Sequence, residues 1–540
     1  MEKTGSKKVR SPEQKVKSDK RAVALIAALS LAFNFGFFSP IDFYLNNIMD
    51  INLPYKLILY ACLPVGLILF AVLFSVINFT KGKAHNVSLC IVTGLNLAFY
   101  IQGNFMTVGM HTLDGQAYSV SVIRAVLDLL LWAVLLALPF VILKKAEGIF
   151  RKFVIFASSA IIAIEFIAVL ATFINITDSN SAAWRGIITD SAYLSSCDTS
   201  NEFNYSKTKN HIVFVVDQYD SFIYDNAVSQ EPQSVSGFSG FTYYNNTIGM
   251  YSHTLDSISY LLSNKPVEKK DNILLNYNGD TVLDHVPEDY RVELYFDGGF
   301  LPDDYARRQA DNISERSVSV KDIANISLAL YDMVLYRTVP DAVKSPFWMY
   351  TGDFINKLSS VKTYFSDNLS FYHSLPDEIG YADKPCYKLF YLQGVHVPRT
   401  VSKDLERDDS REISPTESAV AVNKVLSEYF ELLKKGGVYD CSDIIVLADH
   451  GHRPNYGARY PLLMIKRAGD TGEGVKISRV PVSYADFYPT ELYLLGDGSK
   501  KDSSVFGIPE GQKRERFYAE TGEYTTDDVD RSLPLNESGL

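Results

Sequence analysis

The first third of the chain carries long apolar runs that are separated by short polar loops. Each run is about 20 residues long, which is the length that an α-helix needs to cross a bilayer. A signal peptide has one shorter run and a small-residue cleavage site, so it does not explain the repetition. The pattern predicts five membrane-spanning helices, at Ala22–Phe38, Leu57–Phe79, Val87–Met106, Val122–Leu143 and Phe153–Ile176.

Beyond residue 177 the apolar runs become short and lack clear alternation, as in parallel strands that are covered on both faces. Helical patterns accompany these runs, at Val420–Lys435 and Tyr484–Leu495. Strands that alternate with helices predict an α/β domain with a central, mostly parallel sheet. The predicted strands are Ile212–Val216, Val292–Phe296, Leu389–Leu392, Ile444–Leu447 and Leu462–Ile465.

Charge divides the chain at the same places. Residues 1–21 hold eight Lys and Arg, whereas residues 178–540 hold 36 Lys and Arg against 54 Asp and Glu. We therefore expect a basic cytoplasmic tail at 1–21, a five-span transmembrane domain at 22–177, and an acidic globular domain at 178–540. The apolar block excludes a purely cytosolic enzyme, and we expect no nucleic-acid partner.

The loops between the predicted spans differ in basic residues. The tail and the turns at 80–85 and 144–152 together hold fourteen Lys and Arg, whereas the alternate loops at 39–56 and 107–121 hold only Lys56. By the positive-inside rule, the tail is cytoplasmic. Five crossings then place residue 178 onward outside the cytoplasm, in a multi-pass protein of the cell membrane.

Three ionisable residues lie within the predicted spans. Arg124 and Asp128 are four residues apart, so they can pair on one helix face. Glu165 lies in the middle of the fifth span, either as a neutral packing residue or with a role toward a lipid or a proton. In the outer domain, Cys386 and Cys441 each precede a predicted strand, and the sequence permits a bridge between them.

Polar residues follow three of the predicted strands directly. Asp217 follows the first strand, His396 follows a later one, and the run Asp449-His450-Gly451-His452 follows another. The carboxyl ends of parallel strands meet at one edge of the sheet, where ligands collect. Two carboxylates and a histidine suit a divalent metal ion. Taken singly, each is also compatible with a surface turn, a helix cap or a packing histidine.

A hydroxyl group that can act as a nucleophile is found in the stretch 251–262. Thr254 stands where the N-cap of a predicted helix would be. An N-cap role alone explains its position, but the free N–H groups and the positive end of a helix also bind phosphate. Ser252 and Ser257 are rival candidates for the nucleophile.

The order of these motifs resembles the sulfatase-like branch of the alkaline phosphatase superfamily. The most specific part is G-V-Y-D-C-S-D-I-I-V-L-A-D-H-G, preceded by the V-V-D strand end, T-L-D-S-I-S-Y-L-L and L-Q-G-V-H-V-P. The architecture, with five amino-terminal spans and an outer catalytic domain, is similar to that of lipoteichoic acid synthases and phosphoethanolamine transferases. The resemblance covers essentially the whole chain.

The resemblance implies a role for each matching residue. Asp217 is similar to the first metal carboxylate, where lipoteichoic acid synthases use Glu. Thr254 is similar to the covalent nucleophile, which also contacts the metal, and Asp449 and His450 are similar to the remaining metal ligands. The metal is divalent, with Mn, Zn, Mg and Ca as open alternatives.

The resemblance also implies contacts with the substrate phosphate, from His396, His452 and Arg453. The segment after D-H-G is shorter here than is usual in this branch, so a second metal site does not follow. Sulfatases proper make formylglycine from the Cys of C-x-P-x-R, and none of the five cysteines stands in that motif. Sulfate ester hydrolysis is therefore disfavoured.

The function implied by the resemblance is a membrane-anchored, metal-dependent phosphotransferase. It moves a head group from a membrane lipid donor, by way of a threonine intermediate, to a cell-surface glycan or lipid. Two alternatives stay open at this point. One is a phosphodiesterase or other ester hydrolase that uses water as the acceptor, and the other is an inactive partner in envelope assembly.

Overall fold

The structure is a computed structural model of the chain. It describes residues 12–47, 51, 53–107, 119–178, 193–267, 277, 279–296, 301–349, 364, 366–452 and 459–531. The chain forms two compact units. The helical unit comprises Met1–Asn180, Trp184–Ala192 and Val318–Ser359, and the α/β unit comprises Ser181–Ala183, Tyr193–Ser317 and Ser360–Leu540.

Among the residues that the structure describes, the helical unit contains five segments that are long and apolar enough to cross a membrane, the number predicted. The first is longer than predicted, Asp19–Asn46, because a π-helix at Asn34–Phe38 and a further helix continue it. The helices are α1 (Pro12–Phe33), α2 (Ser39–Asn46), α3 (Tyr55–Phe79), α4 (Gly82–Phe105), α5 (Val122–Lys145) and α6 (Glu147–Asp178).

The ionisable residues of these helices have different surroundings. Arg124 Nε donates to Asp341 Oδ2 over 2.7 Å, and Asp128 Oδ2 accepts from the Asp341 N–H over 2.6 Å. Both side chains therefore converge on Asp341, which lies outside helix α5. Glu165 is buried, and neither of its carboxylate oxygens has a hydrogen-bond partner among the described residues.

The α/β unit is built on a seven-stranded sheet with the strand order β12-β4-β11-β10-β3-β9-β6. Its four neighbouring strands β10, β3, β9 and β6 are all parallel. This confirms the predicted α/β fold with a mostly parallel sheet. The sheet strands are β3 (Asn210–Val216), β4 (Thr242–Tyr244), β6 (Arg291–Tyr295), β9 (Cys386–Leu392), β10 (Ser442–Leu447), β11 (Leu463–Lys466) and β12 (Lys476–Ser478).

Shorter strands and the helices complete this unit. The two-stranded sheets pair β1 with β7, β2 with β8, β5 with β13, and β14 with β15. These strands are β1 (Tyr193–Cys197), β2 (Asn204–Ser206), β5 (Thr247–Ile248), β7 (Ile313–Ser317), β8 (Gly380–Ala382), β13 (Val482–Ser483), β14 (Arg516–Tyr518) and β15 (Glu523–Thr525). The remaining helices, of which α10 belongs to the helical unit, are α7 (Ser221–Gln230), α8 (Thr254–Ser263), α9 (Asp303–Gln309), α10 (Val320–Thr338), α11 (Asn368–Ser374), α12 (Pro415–Lys435) and α13 (Phe487–Leu495).

The two faces of the central sheet bury different side chains because successive residues of a strand point to opposite faces. On one face, Phe214 of β3 stacks on Phe390 of β9, with 4.9 Å between ring centroids, and meets Tyr429 of α12 edge-on. The other face packs against α8 and α13, whose apolar residues include Ile258 and Phe487. The sheet is therefore covered on both sides, as its near-continuous apolar strands require.

The strand β11 departs from the parallel arrangement. It pairs antiparallel with both β10 and β4, although its apolar sequence resembles that of the parallel strands. Strands β4 and β12 have three residues each and were not predicted from the sequence.

Cys386 and Cys441 do not form a bridge, and all five cysteines are free. Cys386 of β9 is in register with Asn210 of β3, which is in register with Ser442 of β10 on its other side. The two cysteines therefore lie on opposite sides of β3, about two strand spacings or ~9.5 Å apart. A disulfide needs Cα atoms within about 7 Å of one another.

Candidate active site

Two adjacent parallel strands bring three predicted residues together. Asp217 directly follows β3. Asp449 and His450 are the second and third residues after β10, which ends at Leu447. The His450 Nε2 atom lies 3.8 Å from Asp217 Oδ1 and 3.5 Å from Asp449 Oδ2. One ligand atom from each residue lies within 4.8 Å of the others, and all three residues are buried. We call these three residues the triad.

Backbone N–H groups orient the Asp449 carboxylate. Its Oδ1 accepts from the N–H of Gln218 over 3.0 Å and from the N–H of His450 over 2.7 Å. Gln218 has a left-handed backbone with φ of 60°, which is uncommon for a residue other than glycine. This turn, directly after β3, points the Gln218 N–H at Asp449 Oδ1. Asp449 Oδ2 is left to face the other two residues of the triad.

The two other members of the triad are also held in place. Asp217 Oδ2 accepts from the Tyr391 hydroxyl over 2.5 Å. His450 Nδ1 lies 2.7 Å from the Gly451 carbonyl oxygen, so this nitrogen carries the proton and Nε2 presents its lone pair to the triad. The Tyr391 contact was not predicted from the sequence, because Tyr391 lies within a predicted strand and resembles an ordinary core residue there.

The arrangement fits a divalent cation. Asp217 Oδ1 and Asp449 Oδ2 are buried and have no hydrogen-bond partner among the described residues. Burial raises the pKa of the Asp217 carboxyl well above its usual range, and the Asp449 carboxylate raises it further, against the smaller opposite effects of His450 and Tyr391. Two buried carboxylates this close are stable as charges only beside a counter-charge. A divalent cation bound between them would supply that counter-charge.

Thr254 lies beside the triad, at the start of helix α8. Its Oγ1 is 3.5 Å from His450 Nε2. Thr254 is the first residue of the helix rather than its N-cap, which corrects the prediction. The N-cap is His253, whose backbone is extended and whose carbonyl accepts from the Ser257 N–H over 3.0 Å. The positive end of α8 therefore faces the same place as the triad.

The rival hydroxyls point elsewhere. Ser252 Oγ lies 3.1 Å from His253 Nδ1. Ser257 is buried in the first turn of α8, and its Oγ donates to the Tyr251 carbonyl oxygen over 3.3 Å. Of the three candidate hydroxyls, Thr254 is the one that the structure places in contact with a triad residue.

The predicted phosphate contacts are less closely connected to the triad. His452 is buried, donates its N–H to Asp220 Oδ2 over 3.3 Å, and has Nδ1 3.3 Å from Gln218 Oε1. His396 follows β9 as predicted, and its Nδ1 lies 2.5 Å from the Val397 carbonyl oxygen. Arg453 lies outside the described residues. The roles of these three residues toward substrate stay predictions.

Asp220 and Gly394 are two further residues that shape the site and that sequence reasoning missed. Asp220 caps α7 by accepting from the N–H groups of Phe222 and Ile223 over 2.9 and 2.8 Å. Burial raises its pKa to about 6, against the lowering effect of these backbone hydrogen bonds. The D-S-F-I sequence at the start of a helix is the signal that could have found this cap.

Gly394 allows the loop after β9 to approach β3. Its φ is 63°, and a Cβ atom there would lie 2.4 Å from the Asp217 carbonyl oxygen. The next residue, Val395, donates its N–H to that same carbonyl over 2.9 Å. The glycine of L-Q-G-V-H is therefore required both by its backbone conformation and by the close approach.

No family model matches the sequence, and no curated protein matches it. Among solved structures, an alkaline phosphatase superfamily protein from Vibrio parahaemolyticus is similar at 14% identity, over 63% of this chain and 86% of its own, with a TM-score of 0.34. The lipoteichoic acid synthase LtaP from Listeria monocytogenes is similar at 14% identity, over 59% of this chain and 77% of its own, with a TM-score of 0.32.

A third match is the C-terminal periplasmic domain of EcEptC from Escherichia coli, at 10% identity, over 64% of this chain and 98% of its own, with a TM-score of 0.32. Structures from the superfamily that the sequence motifs resemble are thus among those matched. At these identities and scores, the matches do not establish an activity. The functional argument therefore rests on the residues of the site.

Proposed function

We propose that the protein is a membrane-anchored, metal-dependent phosphotransferase. It moves a phospholipid-derived head group, by way of Thr254, to a cell-surface glycan or lipid. The observation that carries this proposal is the position of the Thr254 hydroxyl, 3.5 Å from His450 Nε2 at the edge of two buried carboxylates. A hydroxyl nucleophile beside a metal-binding group and a helix N-terminus suits attack on a phosphoryl group.

Asp217, Asp449, His450 and Thr254 are the residues that would hold the metal. When bound there, a divalent cation such as Mn, Zn, Mg or Ca lowers the pKa of the Thr254 hydroxyl and offsets the charge of the phosphoryl group. The mixed oxygen and nitrogen donors do not select one of these ions.

The chemistry divides into two displacements. In the first, a bond forms between Thr254 Oγ1 and phosphorus, the phosphorus–oxygen bond to the lipid glycerol breaks, and the hydroxyl proton is lost while the glycerol oxygen takes up a proton. In the second, an acceptor hydroxyl loses its proton and bonds to phosphorus, the bond between phosphorus and Thr254 Oγ1 breaks, and Oγ1 takes up a proton. The N–H groups at the start of α8 stabilise the phosphoryl oxygens in both steps.

The proposal that the donor is a membrane phospholipid rests on the membrane helices. Five helices long and apolar enough to span a bilayer precede the α/β unit in the chain. A site tethered to a bilayer has phospholipid as its most abundant phosphodiester. The asymmetry of basic residues between the loops supports an extracytoplasmic α/β unit, facing cell-surface acceptors. His396, His452 and Arg453 are proposed to contact the substrate phosphate.

The test is a lipid turnover assay with the full chain in vesicles. Phospholipid labelled in the head group is supplied with Mn²⁺, with and without a glycan acceptor, and released diacylglycerol and the labelled product are both measured. The proposal predicts diacylglycerol release with the label on the acceptor. Label released only as free phosphate ester supports a phosphodiesterase instead. Absence of turnover together with absence of bound metal would support the other alternative, an inactive partner in envelope assembly.

A further inference from the structure

Helix α10 occupies an unexpected place in the molecule. Its residues lie between β7 and α11 in the chain, yet it belongs to the helical unit. Ser327 Oγ donates to the Ala61 carbonyl oxygen of α3 over 3.1 Å. The Tyr331 hydroxyl donates to the Gly36 carbonyl oxygen over 2.7 Å. The sequence alone does not single out this helix, because its pattern also suits a helix that covers a sheet.

These hydrogen bonds go to the parts of the membrane helices that depart from the regular α-helix. Gly36 lies in the π-helix. Ala61 lies in the turn before Pro64, whose missing N–H leaves the neighbouring Tyr60 carbonyl without its helix partner. Backbone polar groups within a bilayer must find partners in the protein. The hydroxyls of α10 donate to backbone carbonyls in these regions, so specific hydrogen bonds attach α10 to the membrane helices.

Ionic contacts hold the carboxyl end of α10. Arg337 Nη1 contacts Asp42 Oδ2 over 2.5 Å, and its Nε donates to the Gly103 carbonyl oxygen over 2.8 Å. Just beyond the helix, Asp341 binds the α5 residues Arg124 and Asp128. The segment is therefore connected to α2, α3, α4 and α5.

The contacted residues define the depth of α10. Gly103 lies two residues from the end of α4, and Ala61 and Asp128 each lie six residues inside α3 and α5. At 1.5 Å per residue, these positions are about 3 to 9 Å along the helices from their ends. Gly36, ten residues before the end of the first segment at Asn46, is about 15 Å from that end. The ends in question are opposite the basic turns at 80–85 and 144–152. Helix α10 thus lies level with about the first three turns of the spans on the side away from the basic turns.

One face of α10 is left uncovered. Val320 is 87% exposed and Leu328 is 69% exposed, and with the exposed Ala324 they form a stripe at intervals of four residues. Leu328 follows Ser327, which contacts α3 at Ala61, so it lies level with the exposed Tyr60 and Leu63 of that helix. An apolar stripe at that depth, continuous with the apolar surface of a spanning helix, fits lipid hydrocarbon.

We propose that α10 is a bilayer-docked helix, and that the stripe of Val320, Ala324 and Leu328 is covered by the acyl chains of the leaflet on the side away from the basic turns. The chain then returns to the membrane after the five spans, in the middle of the sequence that also forms the α/β unit. This inference rests on the membrane anchoring and not on the chemistry proposed for Thr254, so the two can fail separately.

The test places a fluorescent label at Leu328→Cys in the full chain, reconstituted in phosphatidylcholine vesicles that contain lipid with a nitroxide near the top of the acyl chain. Leu67→Cys on the exposed face of α3 is the lipid-facing control. Ile477→Cys on β12, which is 65% exposed, is the control for the α/β unit. All variants carry Cys441→Ser, because that cysteine is only partly buried.

The proposal predicts that the label at position 328 is quenched to within about twofold of the label at position 67, while the label at position 477 is not quenched. Val320→Cys serves as the second site if Leu328→Cys does not fold, and the same quenching is expected there. Quenching no stronger than at position 477, together with equally fast reaction with a membrane-impermeant maleimide, would overturn the proposal.

Discussion

The hydroxyl of Thr254 lies 3.5 Å from Nε2 of His450, although 196 residues separate them in the chain. Thr254 begins a helix that covers one face of the sheet, and His450 follows a central strand. The contact therefore depends on the packing of α8 against the sheet and not on any local motif. It is the relationship on which the proposed transfer reaction depends.

The triad is expected to be the metal site. Asp449→Asn or His450→Ala removes one ligand, so we expect loss of bound metal and of turnover with the fold retained. The measurement is metal content by mass spectrometry of the purified full chain, with circular dichroism as the check on folding. Asp383→Asn, on an exposed turn, is the matched control and should keep its metal. Full metal content in either triad variant would show that the ions bind elsewhere.

Tyr391 is expected to orient Asp217 through its hydroxyl. Tyr391→Phe leaves the ring in place but removes this hydrogen bond, and we expect metal affinity to fall roughly 10-fold or more. Tyr387→Phe is the control, because Tyr387 points to the same face of β9 but donates to Glu491 Oε2 over 3.2 Å. The control should lose about 1 kcal/mol of stability with its metal affinity intact. Equal metal affinities for the two variants would contradict the assigned role.

Gly394 is expected to tolerate no side chain. In Gly394→Ala the new Cβ would meet the Asp217 backbone, so the strand end must shift, and both metal affinity and turnover should fall. Gly437→Ala is the control, since its φ of 68° is similar but no atom lies within 4 Å of the added Cβ. The control should cost only the left-handed backbone penalty, about 1 to 2 kcal/mol. Metal titration of both variants separates the two effects.

Much of this site was predictable, and the reason lies in the strand pattern. Asp217 and Asp449 follow apolar runs that read as buried strands, and parallel neighbours place their carboxyl ends together. The direction of β11 and the strands β4 and β12 were not predictable, because a short apolar run carries no information about its direction or partner. Tyr391 has the appearance of a core residue until the position of Asp217 is known.

Glu202 is expected to make folding depend on pH. Burial raises its pKa to about 7, with the nearby Lys388 acting in the opposite direction. The folded state therefore holds a proton that the unfolded state has lost between about pH 4.5 and pH 7, and stability falls as the pH rises through this window. The full effect is on the order of 3 kcal/mol.

Glu202→Gln removes this titration. We expect a higher unfolding temperature than wild type at pH 8 and no difference at pH 4.5, where the buried carboxyl is already neutral. Glu428→Gln, on the exposed face of α12, is the matched control and should track wild type at both pH values. A Glu202→Gln variant with the same pH dependence as wild type would show that Glu202 titrates normally.

The central claim is that Thr254 forms a covalent phosphoryl intermediate, and peptide mass spectrometry tests it most directly. The full chain is incubated with phospholipid and Mn²⁺ without acceptor, quenched in acid and digested. The account predicts a head-group phosphoryl adduct on Thr254. The Thr254→Ala variant should show neither adduct nor turnover, with its metal largely retained by the three residues of the triad, while Ser252→Ala should keep both adduct and turnover. An adduct on Ser252 or Ser257, or near wild-type turnover in Thr254→Ala, would contradict the account.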